Sequence, residues 1–394
     1  MVAENAGKIA PFRSLDVLRG LAALWVVMCH AADHYVGGTR WEKWPVYSFS
    51  LRGQLGVVLF FLISGYCIIG AAYSAFASGK RVRRFAFERA RRIYPPYFFT
   101  IVLALLVGGT LILAQHHHLI LAIHHPMQLS GGARFWVSNL FIIQSEAGQG
   151  YINIDFWSLC DEVAFYVIVG VILLGAKWIE RKWGAPAGLF FFSLVVVALT
   201  VESLLWQITS GSAGTFPMDR WYQFGLGGLF FLAAEIKSES FVGYSEMLRT
   251  TNRVMMAVAV ILTAVFASTR SLGGGTVDHP SSRVQSWIAI LYLALFWVLR
   301  SVEAQFTHRR ALSPLFWLGS FSYSLYLVHP YFLGLVDLPA RKMGLVGDLY
   351  LISWALQIIV GVIAGWIFYL VVERHFVSSR QKRRIATELG AEPS

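Results

Sequence analysis

The sequence has few charged residues for its length. Aspartate, glutamate, lysine and arginine make up 14% of its 394 residues, whereas a soluble domain carries about 25%. Hydrophobic residues make up 56%, and apolar runs recur along the whole chain. Each run is roughly 20 residues long, enough for a helix to cross a hydrocarbon core of about 30 Å. The composition therefore excludes the two or three soluble domains that the length alone would suggest.

The sequence also lacks the alternation of apolar and polar residues that marks the strands of a membrane β-barrel. We therefore expect an all-α polytopic membrane protein, a bundle of about ten transmembrane helices. Cysteine is scarce too: Cys29, Cys67 and Cys160 are odd in number, lie in apolar stretches and show no metal-ligand spacing. We interpret them as packed core residues and expect no disulfide framework and no metal site.

Acidic residues number 22 against 33 basic ones, which gives a net charge of +11. On a soluble protein this balance would suggest nucleic acid as a partner. Here the basic residues flank the apolar runs, as membrane topology requires. We therefore expect membrane lipids around the chain and no nucleic-acid partner.

The apolar runs predict ten spans, at residues 17–36, 55–76, 94–114, 156–176, 187–206, 220–235, 254–268, 285–299, 314–335 and 350–372. A further run at 135–143, FWVSNLFII, is too short to cross and is predicted to be re-entrant or interfacial. The expected organisation is a cytoplasmic N-terminal tail at 1–11, a membrane domain at 12–372 and a basic cytoplasmic C-terminal tail at 373–394. We expect no cleavable signal peptide.

The distribution of basic residues predicts the orientation of the spans. With the N-terminus in the cytoplasm, 24 of the 33 lysines and arginines fall on the inner side and 9 on the outer side. Such a bias toward inner segments is the usual rule for membrane helices. Both termini are therefore predicted to be cytoplasmic, with spans 220–235 and 254–268 the weakest part of the assignment.

The first span carries ionisable residues that are costly at bilayer depth. Arg19 and His30 are eleven residues apart, which returns to within about 20° of the same helix face at a distance of about 16 Å. Asp16, Asp33 and His34 extend this polar stripe. The stripe is predicted to face the bundle interior, with Arg19 at the cytoplasmic mouth. A histidine that only hydrogen-bonds a neighbouring helix is the alternative interpretation of His30.

A second polar cluster lies in KRVRRFAFERARRIYPPYF, residues 80–98. Basic residues there can simply anchor the helix at the cytoplasmic surface. Arg89 and Arg92 differ, because they are three apart on one helix face at the membrane mouth. Two guanidinium groups in that position suit a phosphorylated ligand that arrives from the cytoplasm.

Two further ionisable residues are predicted to lie in the outer half of the membrane, at the level of His30. Glu162, in DFWSLCDEVAFY, lies about 9 Å from the outer end of its span, and His329, in FSYSLYLVHP, about 22 Å from the inner end of its own. A structural ion pair with a buried arginine is the alternative for Glu162. A histidine is a natural general acid or base at neutral pH, so these residues are candidate catalytic groups.

Taken in order, five motifs resemble those of the acyltransferase 3 family, bacterial integral membrane O-acyltransferases. They are RSLDVLRGLAALWVVMCH, GVVLFFLISGY, RARRIYPPYF, FWSLCDEVAFY and FSYSLYLVHP. They cover the chain from about residue 12 to residue 372. Some members carry a fused extracytoplasmic hydrolase-like domain, and we expect none here.

The resemblance implies that an acyl group passes from cytoplasmic acyl-CoA, acetyl-CoA by default, to a hydroxyl of a cell-envelope carbohydrate or lipid-linked sugar. It also implies that His30, Glu162 and His329 are site residues. Our hypothesis from their chemistry is His30 as the base, Glu162 as a residue that orients His30 or the acceptor, and His329 as a residue that assists proton movement or binds the acceptor. Arg19, Arg89 and Arg92 would hold the CoA phosphates. Acyl-CoA would be a co-substrate, with no tightly bound cofactor, and the protein would lie in the bacterial cytoplasmic (inner) membrane.

Three alternatives stay open. Intramembrane histidine, glutamate and arginine also serve proton-coupled transporters and flippases, although no repeat is evident in the sequence. An acyltransferase that acts on a small molecule or a lipid would use the same residues. A non-catalytic scaffold would leave the matched polar residues unexplained. The sequence does not indicate the oligomeric state.

Overall fold

The structure is a computed structural model, and it describes residues 12–33, 43–117, 127–210, 216–236, 244–268, 282–307 and 310–377. These residues form helices joined by short connections, with a single isolated bridge between Met127 and Asn153. The predicted tail at 1–11, His34 and most of the predicted tail at 373–394 lie outside the described residues.

Ten long helices occupy the positions of the ten predicted spans. They are α1 (Ser14–Asp33), α3 (Leu55–Ala77), α4 (Val82–His116), α7 (Trp157–Trp183), α8 (Ala185–Ser210), α9 (Met218–Ala234), α10 (Tyr244–Ser268), α11 (Ser282–Ser301), α14 (Ser322–Lys342) and α15 (Tyr350–Val371). Within the described ranges, eight helical stretches are long and apolar enough to cross a membrane. The two long helices outside that set are α9, which has 17 residues, and α14. The chain is thus an all-α polytopic membrane protein, as predicted.

Five short helices complete the described fold. They are α2 (Pro45–Ser50), α5 (Ala133–Phe141), α6 (Gln144–Ala147), α12 (Glu303–Thr307) and α13 (Ser313–Ser320). The run predicted to be too short to cross is α5, which has nine residues.

The predicted span 314–335 is wrong in its boundaries, because it consists of two helices that meet at Phe321. Helix α13 ends at Gly319 and Ser320, which are poor helix formers, and α14 continues to Lys342. The hydroxyl of Ser322 donates to the Gly319 carbonyl at 3.0 Å. It thereby satisfies one of the carbonyls that the end of a helix leaves without an intrahelical partner.

Close helix crossings hold the elements that carry the polar residues. A side chain at Gly65 in α3 would collide with the Phe224 carbonyl of α9, and one at Gly227 in α9 would collide with the Leu62 carbonyl of α3. Helix α1 meets α13 in the same way, where Gly20 lies against the backbone of Gly319. Small residues at such crossings let helix backbones approach in a membrane. The crossings fix α1 and α3 inside the bundle.

The segment between α5 and α7 is ordered by one buried asparagine. The Asn139 side chain donates to the Gly150 carbonyl at 3.0 Å and accepts from the Ile152 amide at 3.0 Å. The Gln144 side chain donates to the same Asn139 oxygen at 2.9 Å. This network places the 3₁₀ turn Ile154–Phe156, which leads directly into α7.

Candidate active site

Two histidines from distant parts of the chain meet inside the bundle. His30 lies in the last turn of α1, and His329 lies within α14. The Nδ1 atom of His30 is 2.8 Å from the Nε2 atom of His329, and the two rings are nearly coplanar, with an interplanar angle of 6°. His329 is fully buried, whereas the side chain of His30 is 27% exposed. We call this pair the histidine dyad.

The local sequence of α14 fixes where the protons lie in the neutral dyad. A helical carbonyl normally accepts a hydrogen bond from the amide four residues later, but Pro330 has no N–H to donate to the Tyr326 carbonyl. The Nδ1 atom of His329 replaces it, 2.9 Å from that oxygen. Since Nδ1 of His329 carries the proton, its Nε2 accepts and His30 donates from Nδ1. The Nε2 atom of His30 therefore keeps a free lone pair.

A carboxylate lies against the dyad, and it belongs to Asp155. Its Oδ2 atom is 3.5 Å from Nδ1 of His30 and 3.5 Å from Nε2 of His329. The residue is 5% exposed. The dyad therefore has a buried carboxyl group beside its internal hydrogen bond.

The structure does not bring Glu162 to the dyad: Glu162 lines a different cavity from the one that His30 faces. The Oε1 atom of Glu162 accepts hydrogen bonds from the hydroxyl of Ser64, at 3.1 Å, and from that of Tyr166. The reason is the register between helices. His30 meets the chain at Asp155, directly before α7 begins and about two helical turns before Glu162.

The dyad and Asp155 also lie within reach of a shared cation, since their donor atoms are all within 4.8 Å of one another. The orientation of the rings does not suit one. The ring centroids are 5.1 Å apart. This is the greatest separation that a 2.8 Å contact between two ring nitrogens permits. The two nitrogens therefore lie on the line that joins the centroids and point at each other. Metal ligands instead direct their lone pairs at a common point. The geometry is that of a linear hydrogen bond.

His30 and Asp155 face a cavity of about 590 Å³, which we call the histidine cavity. Its polar lining also contains Asp33, Gln54, Tyr151, Trp157, Arg220, Gln223 and Gln285. The guanidinium of Arg220 lies 4.4 Å from the ring centroid of Trp157 and 3.2 Å from Asp161. Burial raises the pKa of the Tyr151 phenol, which therefore stays protonated at neutral pH. The cavity combines aromatic rings with many hydrogen-bonding groups.

The three predicted arginines meet in a second, narrower cavity of about 70 Å³, which we call the arginine cavity. Arg19 comes from α1, and Arg89 and Arg92 come from the first turns of α4. Arg19 lies 3.6 Å from Asp16 and 3.6 Å from the Cys67 sulfur. The Nε atom of Arg89 is buried and has no hydrogen-bond partner among the described residues. Glu162, Tyr166 and Ser64 line the same cavity.

The two cavities share a wall. Val57, Phe61 and Tyr326 line both of them. The Tyr326 hydroxyl is 2.7 Å from the Ser158 hydroxyl, which lines the arginine cavity, and 3.1 Å from the Asp155 carbonyl. The arginine cavity and the histidine cavity are therefore adjacent.

The sequence predicts that the three arginines lie at the cytoplasmic mouth and that the two histidines lie at a common depth. It does not indicate Asp155 or the amide-rich lining of the histidine cavity. Asp155 is the first residue of the motif DFWSLCDEVAFY, and its position directly before an apolar helix was the available signal. Nothing in the sequence brings Gln54, Gln223 and Gln285 together, because they lie on three separate segments.

Comparison with known proteins shows the family to which the chain belongs. The acyltransferase 3 family model, described as an acyltransferase domain, matches residues 12–373. The chain is 24% identical over 398 residues to acyltransferase MdmB of Streptomyces mycarofaciens, with 96% of this chain and 94% of MdmB covered. It is 25% identical over 318 residues to BcsY of Komagataeibacter xylinus, whose name describes a membrane-bound transacylase, with 80% of this chain and 72% of BcsY covered. No solved structure matches. The family match over nearly the whole chain shows that this membrane protein belongs to the acyltransferase 3 family.

Proposed function

We propose that the protein moves an acyl group, acetyl, from cytoplasmic acyl-CoA to a hydroxyl of a cell-envelope carbohydrate. The family supports an acyltransferase in the membrane. The donor, the acyl group and the acceptor are our proposal. The observation that carries it is the histidine dyad, which leaves a free lone pair on His30 beside a large polar cavity.

The dyad supplies the base that acyl transfer to an alcohol needs. The Nε2 atom of His30 takes the acceptor's hydroxyl proton as the oxygen attacks the thioester carbonyl. The tetrahedral intermediate then expels the CoA thiolate, and the proton on His30 passes to that sulfur. An ester and free CoA result, and His30 returns to its starting form. His329 holds His30 by accepting from its Nδ1 atom throughout.

The arginine cavity supports a phosphorylated, nucleotide-like donor. Guanidinium groups suit phosphate oxygens in geometry and charge, and the cavity holds three of them. Acetyl is the acyl group that we propose, because it is the default that the family resemblance implies.

The histidine cavity supports a polyhydroxylated acceptor. Side-chain amides and hydroxyls can each pair with sugar hydroxyls, and the lining offers three glutamines and Tyr151. The cavity is also much larger than the arginine cavity, as a sugar requires. A small molecule or a lipid with one hydroxyl would contact fewer of these polar groups.

The orientation follows from charge. Arg89 and Arg92 belong to the basic segment that the distribution of lysines and arginines assigns to the cytoplasm. Both termini would then be cytoplasmic, and the protein would lie in the bacterial inner membrane. Reporter fusions at the C-terminus test this: fluorescence without periplasmic phosphatase activity is expected.

The test of the proposed function is a gene deletion complemented with variants. Ester-linked acetyl groups on envelope glycans and lipids are measured by mass spectrometry. We expect one glycan fraction to lose its acetyl esters in the deletion, to regain them with the wild-type gene and to stay unmodified with His30→Ala. Restoration by His30→Ala at normal protein levels would contradict the assignment. A deletion that changes the transport of a solute but no ester would favour the transporter alternative.

A further inference from the structure

Asp155 is a buried carboxylate that neither the fold nor the proposed roles of the other residues explain. Its Oδ2 atom has no hydrogen-bond partner within the described part of the chain. The same atom lies 3.5 Å from each of the two nitrogens that share the dyad's proton. A buried charge without a hydrogen bond is costly, so a compensating interaction with the dyad is expected.

The surrounding backbone aims this carboxylate at the histidines. The Asp155 amide donates to the Asn153 side chain at 3.0 Å. The Asp155 carbonyl accepts from the hydroxyls of Ser158 and Tyr326, both at 3.1 Å. The main chain is therefore held on two sides by polar contacts, while the side chain faces His30 and His329.

We propose that Asp155 is a positioning residue that acts through the dyad: it stabilises the positive charge that forms when Nε2 of His30 takes the acceptor's proton. This proposal rests on the proposed function. The neutral dyad gains little from a nearby carboxylate, whereas the protonated dyad gains much. An interaction that is stronger in the transition state than in the ground state raises kcat and leaves KM little changed.

A purely structural role is the competing interpretation, because acidic residues at the start of a helix stabilise it through the helix dipole. The chain provides a matched control. Asp348 is the second residue of the 3₁₀ turn Gly347–Leu349, which leads directly into α15, just as Asp155 is the second residue of the turn that leads into α7. Asp348 is exposed and does not line the histidine cavity.

The experiment uses the full chain in native membranes with acetyl-CoA labelled in the acetyl group. The acceptor is the deacetylated envelope glycan fraction from the deletion strain. We expect Asp155→Asn to lower kcat roughly 100-fold, within the 10²–10⁴ range of general acid–base catalysis, with the KM for acetyl-CoA within about twofold. Asp348→Asn is expected to keep the wild-type kcat.

Chemical rescue separates positioning from folding. Asp155→Gly opens space beside the dyad at the wall of the histidine cavity, and added formate should restore its activity at least fivefold. Formate should not stimulate Asp348→Gly. Asp155→Ser serves as a second neutral variant if Asp155→Asn does not accumulate.

The outcomes for this proposal and for the proposed function are distinct. If His30→Ala is inactive and Asp155→Asn keeps more than half of the wild-type kcat, the role of Asp155 is overturned and the function stands. If formate leaves Asp155→Gly unchanged while its protein level is normal, the positioning role is also overturned. If His30→Ala remains active, the proposed function itself fails.

Discussion

The role of His329 can be tested by removing only its acceptor nitrogen. His329 is fully buried, so a smaller residue would leave a cavity and confuse stability with chemistry. Leucine fills a similar volume but cannot accept the proton from Nδ1 of His30. Glutamine also fits and keeps an oxygen that can accept it. The pair His329→Leu and His329→Gln therefore isolates the hydrogen bond from the packing.

The magnitude follows from the contacts of the two rings. A hydrogen bond to a group that becomes charged is worth about 1.5–3 kcal/mol, which is about 10- to 150-fold in rate at 1.4 kcal/mol per tenfold. Asp155, 3.5 Å from the same His30 nitrogen, remains as a second acceptor. We therefore expect His329→Leu to lower kcat about 10- to 50-fold, less than the roughly 10²–10⁴-fold loss expected for His30→Ala. His329→Gln should lose less than about tenfold.

A stability measurement accompanies this comparison. The Tyr326 carbonyl depends on His329 for a donor, because Pro330 supplies none. His329→Leu leaves that buried carbonyl unsatisfied and should destabilise the protein by about 1–3 kcal/mol, seen as a lower Tm in detergent. The assay is transfer of labelled acetyl from acetyl-CoA in membranes, normalised to folded protein. Wild-type kcat in His329→Leu would refute the dyad, as would equal losses in the leucine and glutamine variants.

Three further predictions concern the elements around the dyad. Gly65→Ala should destabilise the protein by about 1–3 kcal/mol through overpacking, because the added methyl group collides with the Phe224 carbonyl; a thermal melt checks this, and an unchanged Tm would contradict the close crossing. Glu162→Gln removes a negative charge among the arginines and should lower the KM for acetyl-CoA about two- to fivefold. Steady-state kinetics should show an unchanged KM for the acceptor. An effect on the acceptor KM alone would indicate that Glu162 acts at the dyad. Asn139→Leu should release the loop before α7, misplace Asp155 and thereby lower kcat about tenfold or more. Normal activity in that variant would show that the loop does not depend on the asparagine network.

The helices were predictable because apolar runs of sufficient length leave the backbone few alternatives in a membrane. The shared face of Arg19 and His30 followed from helical periodicity alone. The depths estimated at 1.5 Å per residue placed His30 and His329 at a similar level in the membrane. A similar depth is what contact between the two histidines requires.

The partner carboxylate was not predictable from depth. Asp155 and Glu162 are seven residues apart, so they lie on nearly the same helical face about two turns from each other. An error of a few residues in the relative depth of α1 and α7 therefore exchanges one for the other.

The lining of the histidine cavity could not be predicted for a different reason. Gln54, Gln223 and Gln285 lie on segments whose mutual rotation depends on the packing of α3, α9 and α11. That packing depends on crossings such as the one at Gly65 and Phe224, and a single sequence does not indicate which glycine faces which helix.

The central claim is that His30 takes the acceptor's proton during acyl transfer. The most direct measurement follows radiolabelled acetyl from acetyl-CoA into hydroxylamine-labile esters of envelope glycan, with the purified full-length protein in lipid nanodiscs. We predict transfer by the wild type, none by His30→Ala or His30→Gln, and binding of acetyl-CoA by all three within about twofold, because the arginine cavity is unchanged. Esters formed at the wild-type rate by either His30 variant would contradict the account.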